Sequence, residues 1–416
     1  MELSNNLSFS REQQTVAIVK TNIIDYESID FQGLVDELLT LMEQEDIRLP
    51  SSGTVFIKPN LLLSASAKDG ITTEPRLVAA LVKNLRNRGV KTVYVGDSSA
   101  GFAKIEEAMN STGMADQVIS AGGIFVDIDN PEERMMVDLP NSDTVKTISL
   151  PRKILEADYV INFPKLKTHR FGAMTAAVKN WVGLTEKAER LRLHQNRLPK
   201  LIAELHALIP EDLCITDALI VGEGDGPDLC KPRMLGAILA STDPVANDSI
   251  GSELLGIERN ELIFPWTCYL DGIGEIHRNN INLVGADIRE LAIQVERPVE
   301  VMYNRFPCNF IFGGYCPGCF VWFIGPALFW QKEGLWEQIG TMKGRPTFML
   351  GFNAEDVNFE KHLAEGPYFV IGDCAPEKYR NHPQTIHISG CTPGPKISEI
   401  ILGHMGLSMD VWGEEA

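Results

Sequence analysis

Short β-branched runs that alternate with amphipathic helical patterns limit this chain's fold more than any other feature. Thr15-Val16-Ala17-Ile18-Val19-Lys20 leads into a helical pattern over residues 31–41. Val55-Phe56-Ile57 leads into Lys58-Pro59-Asn60; Pro75 then opens a helix that runs to Arg88 and stops at Gly89, the usual start and stop signals. Val93-Tyr94-Val95 ends in Gly96-Asp97-Ser98-Ser99, and a further helical pattern precedes Ile124-Phe125-Val126. Residues 159–163, Cys214-Ile215-Thr216 before Asp217, and 235–239 before Ser241-Thr242-Asp243-Pro244 continue the series. Such alternation implies an α/β protein, with a mainly parallel sheet and helices on both faces. At 416 residues the chain is too long for one ordinary core. The expected division is a flexible tail over 1–14, an α/β domain over 15–297 and a smaller C-terminal α/β domain over 298–416 that carries cysteines.

In open parallel sheets the site gathers at the carboxyl ends of the strands. Here those ends read Lys58-Pro59-Asn60, Gly96-Asp97-Ser98, Lys165-Leu166-Lys167-Thr168-His169, Asp217 and Ser241-Thr242-Asp243, nearly all polar. Residues 165–200 hold nine Lys or Arg against two acids, Glu186 and Glu189, in a chain of formal net charge −18. An acidic protein that gathers its cations marks a site for something negative. A solvated basic helix face is the plainer alternative. Lys58, at the buried end of a strand and followed by proline, carries a desolvation penalty unless an anion or a carboxylate meets it. Asp243 before Pro244 reads as a helix N-cap, and Asp97 and Ser98 allow the same reading. Residues 221–227 form an acidic, glycine-rich loop, either a lid or a long turn.

The overall acidity argues against nonspecific nucleic-acid binding, which needs a wider basic footprint. Residues 1–14 are polar and include Glu2, Arg11 and Glu12, unlike a secretion or transit signal, so the expected compartment is the cytoplasm. Residues 306–331 carry no charge, but Pro307, Pro317 and Pro326 interrupt them, and no membrane span is expected.

Lys58-Pro59-Asn60, Thr72-Thr73-Glu74-Pro75, Gly96-Asp97-Ser98, Lys165-Leu166-Lys167-Thr168-His169, Thr175 with Val178-Lys179-Asn180 and Gly183, His194, and Ser241-Thr242-Asp243-Pro244 stand in an order that resembles the uncharacterised family called domain of unknown function 362. The resemblance covers about residues 16–256. It implies an α/β domain with a polar site and fixes no reaction. A fainter likeness in strand and turn pattern to the N-terminal domain of the nickel-pincer lactate racemases transfers no chemistry, because fold analogy alone does not carry function.

The second constellation is sulfur. Cys316-Pro317-Gly318-Cys319 is a C-x-x-C, and Cys374 and Cys391 each follow an apolar strand pattern, as Gly372-Asp373-Cys374 and Gly390-Cys391. Parallel strands ending at one edge would bring all four thiols together. Neighbouring glycines let backbone N–H groups approach the sulfurs, which suits an iron–sulfur cluster, in its commonest form 4Fe-4S. Zinc competes for four thiolates, and buried or redox-active thiols are a third reading. Members of the resembled family often add ferredoxin-like repeats or a further cysteine domain; the glycine–cysteine pattern resembles the latter, and the ferredoxin run C-x-x-C-x-x-C-x-x-x-C-P is lacking. Cys308, eight residues before Cys316, is expected outside the shell or in place of one member. Cys214, Cys230 and Cys268 read as structural.

The expected function is that of a redox enzyme acting on a small carboxylate or phosphate. Lys58, Asn60, Asp97, Ser98, Lys165, Lys179, Asn180 and His194 are the candidate substrate contacts. His169, whose type titrates near neutrality, is the candidate proton donor beside Lys167. An electron-donor protein is a possible partner. The rival is a nonenzymatic metal or cluster carrier, or a zinc-stabilised binding protein, whose basic cleft docks an acidic partner.

Overall fold

The protein is described from a computed structural model, which covers residues 13–22, 26–99, 105–170, 172–187, 189–190, 197–298, 306–313, 319, 322–324, 327, 330–331, 334–391, 393–394 and 396–407. Its first twelve strands are β1 (Gln14–Lys20), β2 (Thr54–Pro59), β3 (Thr92–Asp97), β4 (Ile124–Asp127), β5 (Arg134–Asp138), β6 (Thr147–Pro151), β7 (Tyr159–Phe163), β8 (Lys165–His169), β9 (Ala173–Thr175), β10 (Leu213–Asp225), β11 (Leu229–Ser241) and β12 (Ile281–Gly285). Ten of them form one sheet in the order β12-β1-β11-β10-β7-β2-β3-β4, with β8 joined to β10 and β9 to β8; β5 and β6 pair separately.

Alternation along the strands sorts their side chains between two faces. Val55 and Ile57 of β2 pack with Leu38 and Leu81, from the helices Phe31–Gln44 and Pro75–Arg88. Phe56, between them, packs on the other face with Leu201 and Phe264, from the helices Leu198–Leu208 and Ile263–Leu270. Lys58 continues the Phe56 series, so its stem runs through that second face.

Two details depart from the sequence reading. Residues 221–225 belong to β10, which forms a long antiparallel hairpin with β11, so the acidic loop is neither a lid nor a long turn. Because β11 is antiparallel to β10, Ser241 lies opposite Cys214, near the start of β10. Ser241-Thr242-Asp243 therefore sits at the edge away from the other strand ends. There Asp243 caps the helix Pro244–Leu254, accepting from the N–H groups of Val245 and Ala246 at 2.8 and 3.0 Å.

A separate parallel sheet follows, with β13 (Asn309–Phe312), β14 (Thr347–Leu350), β15 (Tyr368–Ile371) and β16 (Thr385–Ile388) in that spatial order. Phe348, Phe369 and Ile371 pack with Trp336 and Ile401, from the helices Leu335–Lys343 and Lys396–Met405. Met349, Tyr368 and Val370 pack with Phe359 and Tyr379 from the opposite side. All four strands point one way, so Gly372-Asp373-Cys374 and Ser389-Gly390-Cys391 leave the sheet at one edge.

Candidate functional site: a buried cationic cluster

The register of the central strands sets Lys58 of β2 beside Asn162 of β7. Asn180, on the short helix Ala177–Asn180, spans both: its Nδ2 donates to Asn162 Oδ1 at 2.9 Å and to the Lys58 carbonyl at 3.2 Å. Asn180 Oδ1 accepts from Lys58 Nζ at 3.2 Å. The same ammonium donates to Asp97 Oδ1 at 2.6 Å, and Asp97 Oδ2 accepts the Leu61 N–H at 2.6 Å. Lys58 and Asp97 are 1% and 2% exposed, which makes this a desolvated ion pair. Gly183 covers it: a Cβ there would stand 2.7 Å from Lys58 Nζ and 2.8 Å from Asp97 Oδ1, so only glycine fits. The carboxylate that Lys58 requires thus comes from within the chain.

Residues 165–169, expected as a polar strand end, are themselves a strand. Lys165, Lys167 and His169 occupy alternate positions and share one face of β8, and all three are buried. Lys165 stands opposite Asp217 in the register and donates to its Oδ2 at 2.9 Å, both side chains fully buried. Lys167 differs: it donates to Asn60 Oδ1 at 3.0 Å and to the Ile71 carbonyl at 2.6 Å. Among the described residues no carboxylate lies within ion-pair distance of it. Burial pushes its ammonium down to about 8.

Lys179 is more extreme. It is 6% exposed, its Nζ lies 5.6 Å from the centre of the Phe264 ring, and no acceptor among the described residues is within hydrogen-bond distance. Burial, with the charges of Lys167 and Arg190 nearby, pushes its pKa down to about 7. Thr175, on β9 opposite Lys167, buries a hydroxyl that also has no partner.

Arg190 was missed by sequence reasoning. It is 8% exposed and donates to Ser98 Oγ at 2.8 Å and to the carbonyls of Ser99 and Thr185 at 3.0 and 2.8 Å. Ser98 Oγ in turn donates to Asp129. The structure therefore joins Lys58, Asn60, Asp97, Lys167 and Asn180 in one buried hydrogen-bonded network. Lys165 and Ser98 are held by Asp217 and Arg190 beside it, Lys179 meets Lys167 through charge, and His169 shares the strand face of the two β8 lysines. His194 lies outside the described residues. Other cations of the basic stretch are answered locally: Arg170 by Asp225 and Asp228, Lys187 by Asp129, Lys200 by Asp271.

A cavity of about 190 Å³ opens instead at the far edge, beside Glu211, Asp243 and Glu275. Those carboxylates already accept bonds, from His206, from Val245 and from the His277 N–H respectively, and their sign repels an anion.

In the second sheet, Gly372 collects sulfurs. A Cβ on Gly372 would stand 3.0 Å from Cys319 Sγ and 3.7 Å from Cys374 Sγ. The Asp373 N–H donates to the Gly390 carbonyl at 3.3 Å, tying the Cys374 loop to the residue before Cys391. Cys319 is buried, Cys374 and Cys391 are exposed, and Cys316 lies outside the described residues. Among the described residues no three His, Cys, Asp or Glu side chains are grouped to hold a metal ion. Cys308 stands before β13, at the opposite end of the strands, with its thiol raised by burial.

The two constellations can be set beside known proteins. Residues 55–253 match the family described as Domain of unknown function (DUF362). The resemblance carried by the lysine, asparagine and glycine motifs thus holds over the stretch that contains the cationic cluster. Thylakoid-associated protein sll1697 of Synechocystis sp. is 31% identical over 210 residues, covering 49% of this chain and 63% of that protein, so the match spans less than two thirds of the relative. The lactate racemase apoprotein of Thermoanaerobacterium thermosaccharolyticum is 13% identical, with a TM-score of 0.37 over 61% of this chain and 58% of its own. At that score the likeness carries nothing about fold or chemistry. No helix among the described residues is long and apolar enough to cross a membrane.

The stretch that matches DUF362 holds a lysine whose burial costs stability. With its pKa below the ordinary lysine value, Lys179 binds a proton less tightly folded than unfolded. That cost is complete below pH about 7 and fades as pH rises toward the ordinary value. Lys179→Met should therefore raise stability by about 1–3 kcal/mol at pH 6, with a gain that shrinks by pH 9. Urea unfolding at the two pH values checks this; an equal effect at both would mean that Lys179 stays charged throughout, with no depressed pKa.

Proposed function

We propose that the chain binds a small carboxylate or phosphate over Lys167 and Lys179, and that Cys316, Cys319, Cys374 and Cys391 hold an iron–sulfur cluster with which it acts as a redox enzyme. The observation that carries the anion half is the Lys179 ammonium, nearly buried and without an acceptor among the described residues. Such a group is expensive to keep unless something negative arrives. Lys58 and Lys165, already neutralised by Asp97 and Asp217, serve as the rigid floor beneath the ligand. Lys167 spends two N–H groups on Asn60 and Ile71 and keeps the third for the ligand. His169, on the Lys167 face of β8, is the candidate proton donor.

The cluster half rests on Gly372, a glycine at φ +89° where a Cβ would stand 3.0 Å from Cys319 Sγ and 3.7 Å from Cys374 Sγ, and on the parallel edge that also releases Cys391. Two thiols beside one glycine, with Cys391 leaving the same edge, are what support a group that needs several thiolates, although the three described cysteines are not themselves grouped as ligands. When bound, a cluster supplies or accepts single electrons. The exposure of Cys374 and Cys391 lets a partner protein approach that edge. It equally favours the second reading, a carrier that hands over its metal or cluster, with zinc as the alternative ion. A cytoplasmic location suits thiols that must stay reduced.

Replacing Lys167 or Lys179 with Ala should weaken binding of the cognate anion by about 2 kcal/mol, the scale of one charge-assisted hydrogen bond, without unfolding the protein. Variants that unfold while retaining affinity would make these lysines structural. Protein purified without oxygen should be brown, with about four irons and four sulfides per chain, and Cys374→Ser should lose most of the colour. Colourless protein with one zinc would end the cluster reading and favour the carrier.

A further inference from the structure

We infer that Lys179 is a nucleophile that forms an imine with a small 2-oxo acid, whose carboxylate is held by Lys167. This rests on the anion-site reading above and adds the substrate class and a covalent step. An amine attacks a carbonyl only in its neutral form, and proteins obtain one by sinking a lysine into an apolar, cation-flanked place. Lys179 meets those conditions by position. It lies beside the Phe264 ring, it is nearly buried, no carboxylate accepts from it among the described residues, and its charged neighbours are Lys167 and Arg190, both cations. Lys58 and Lys165, by contrast, are each locked to an aspartate and cannot act in this way. The depressed pKa of Lys179 agrees with this assignment.

The neighbouring groups suit a 2-oxo acid better than a simple aldehyde or a phosphate. A carboxylate one bond from the reacting carbon needs a cation near the amine, and Lys167 is the nearby lysine that meets no carboxylate among the described residues. The Thr175 hydroxyl, buried, unpartnered and opposite Lys167 in the strand pairing, is a donor for the carbonyl oxygen. In the step, the Lys179 nitrogen lone pair forms the C–N bond and the carbonyl oxygen takes up a proton. The resulting carbinolamine breaks its C–O bond to release water, and the two protons that nitrogen gives up in the sequence are the two the oxygen carries away. One carbonyl and one amine thus become one imine and one water, with no change of oxidation state.

The test is reductive trapping on the whole protein. Glyoxylate or pyruvate with cyanoborohydride transfers hydride to the imine carbon and leaves a stable secondary amine, located by peptide mass spectrometry. The expected result is labelling of Lys179 well ahead of the exposed Lys68 and Lys378, with a rate that rises through pH 7. Lys179→Arg should abolish that label. Lys167→Met should slow trapping of glyoxylate at least tenfold and leave a neutral aldehyde little affected. Labelling spread evenly over surface lysines, or none at Lys179, overturns the inference. If oxalate, a dianion without a carbonyl carbon to attack, still binds by calorimetry in that case, the anion site stands and only the covalent step is lost.

Discussion

The buried pair between Lys58 and Asp97 is the constraint from which the rest of the site follows. Taking two ions out of water costs several kcal/mol apiece, and only close geometry with full hydrogen bonding recovers it. The chain meets that demand with atoms from four separate segments: the Asp97 carboxylate, the Leu61 N–H, the Asn180 amide, and at Gly183 a residue with no side chain to intrude. Asn180 extends the arrangement to Asn162, so β2, β7 and the helix Ala177–Asn180 are fixed to one another. Lys165 and Asp217 repeat the solution one strand further on. The floor of the site is therefore rigid and electrically closed.

Above that floor the charge does not close. Lys167 and Lys179 are buried like the paired lysines but meet no carboxylate among the described residues, and each is held below its ordinary pKa by desolvation. A fold selected for stability alone would place methionine or leucine there. Keeping an expensive group in a sound core is the usual sign of a site whose stability has been traded for binding or chemistry. The second sheet shows the same economy with sulfur: Gly372 gives up a side chain so that Cys319 and Cys374 can approach.

Much of this was legible in the residues, because it is local. The strand and helix alternation, the Pro75 to Gly89 helix, the Asp243 cap and the polarity of the strand ends all depend on near neighbours. The β8 strand was not legible: Lys165, Lys167 and His169 alternate with period two, but their polarity read as the end of the strand over 159–163. What could not be read is set by register. Nothing in the sequence says that Asp97 answers Lys58 across 39 positions, or Asp217 Lys165 across 52. Those pairings decide which lysines are spent and which are available. The direction of β11 was hidden for the same reason, since an isolated apolar run carries no sign of its sense. Arg190 was obscured because its role, bonding Ser98 and the carbonyls around Gly183, needs the fold to bring those groups together.

The claim that matters most is that Lys179 waits for an anion, and proton linkage reads it directly. With a pKa of about 7, Lys179 is mostly neutral at pH 8 in the ligand-free protein; bound oxalate, whose second carboxylate takes the place of a ketone carbon, would hold it charged. Isothermal titration with oxalate at pH 8, in two buffers of different ionisation enthalpy, should report uptake of roughly one to two protons per anion, most from Lys179 and the rest from Lys167, falling toward none at pH 6. Binding without proton uptake at pH 8, or uptake unchanged in Lys179→Met, would contradict the account.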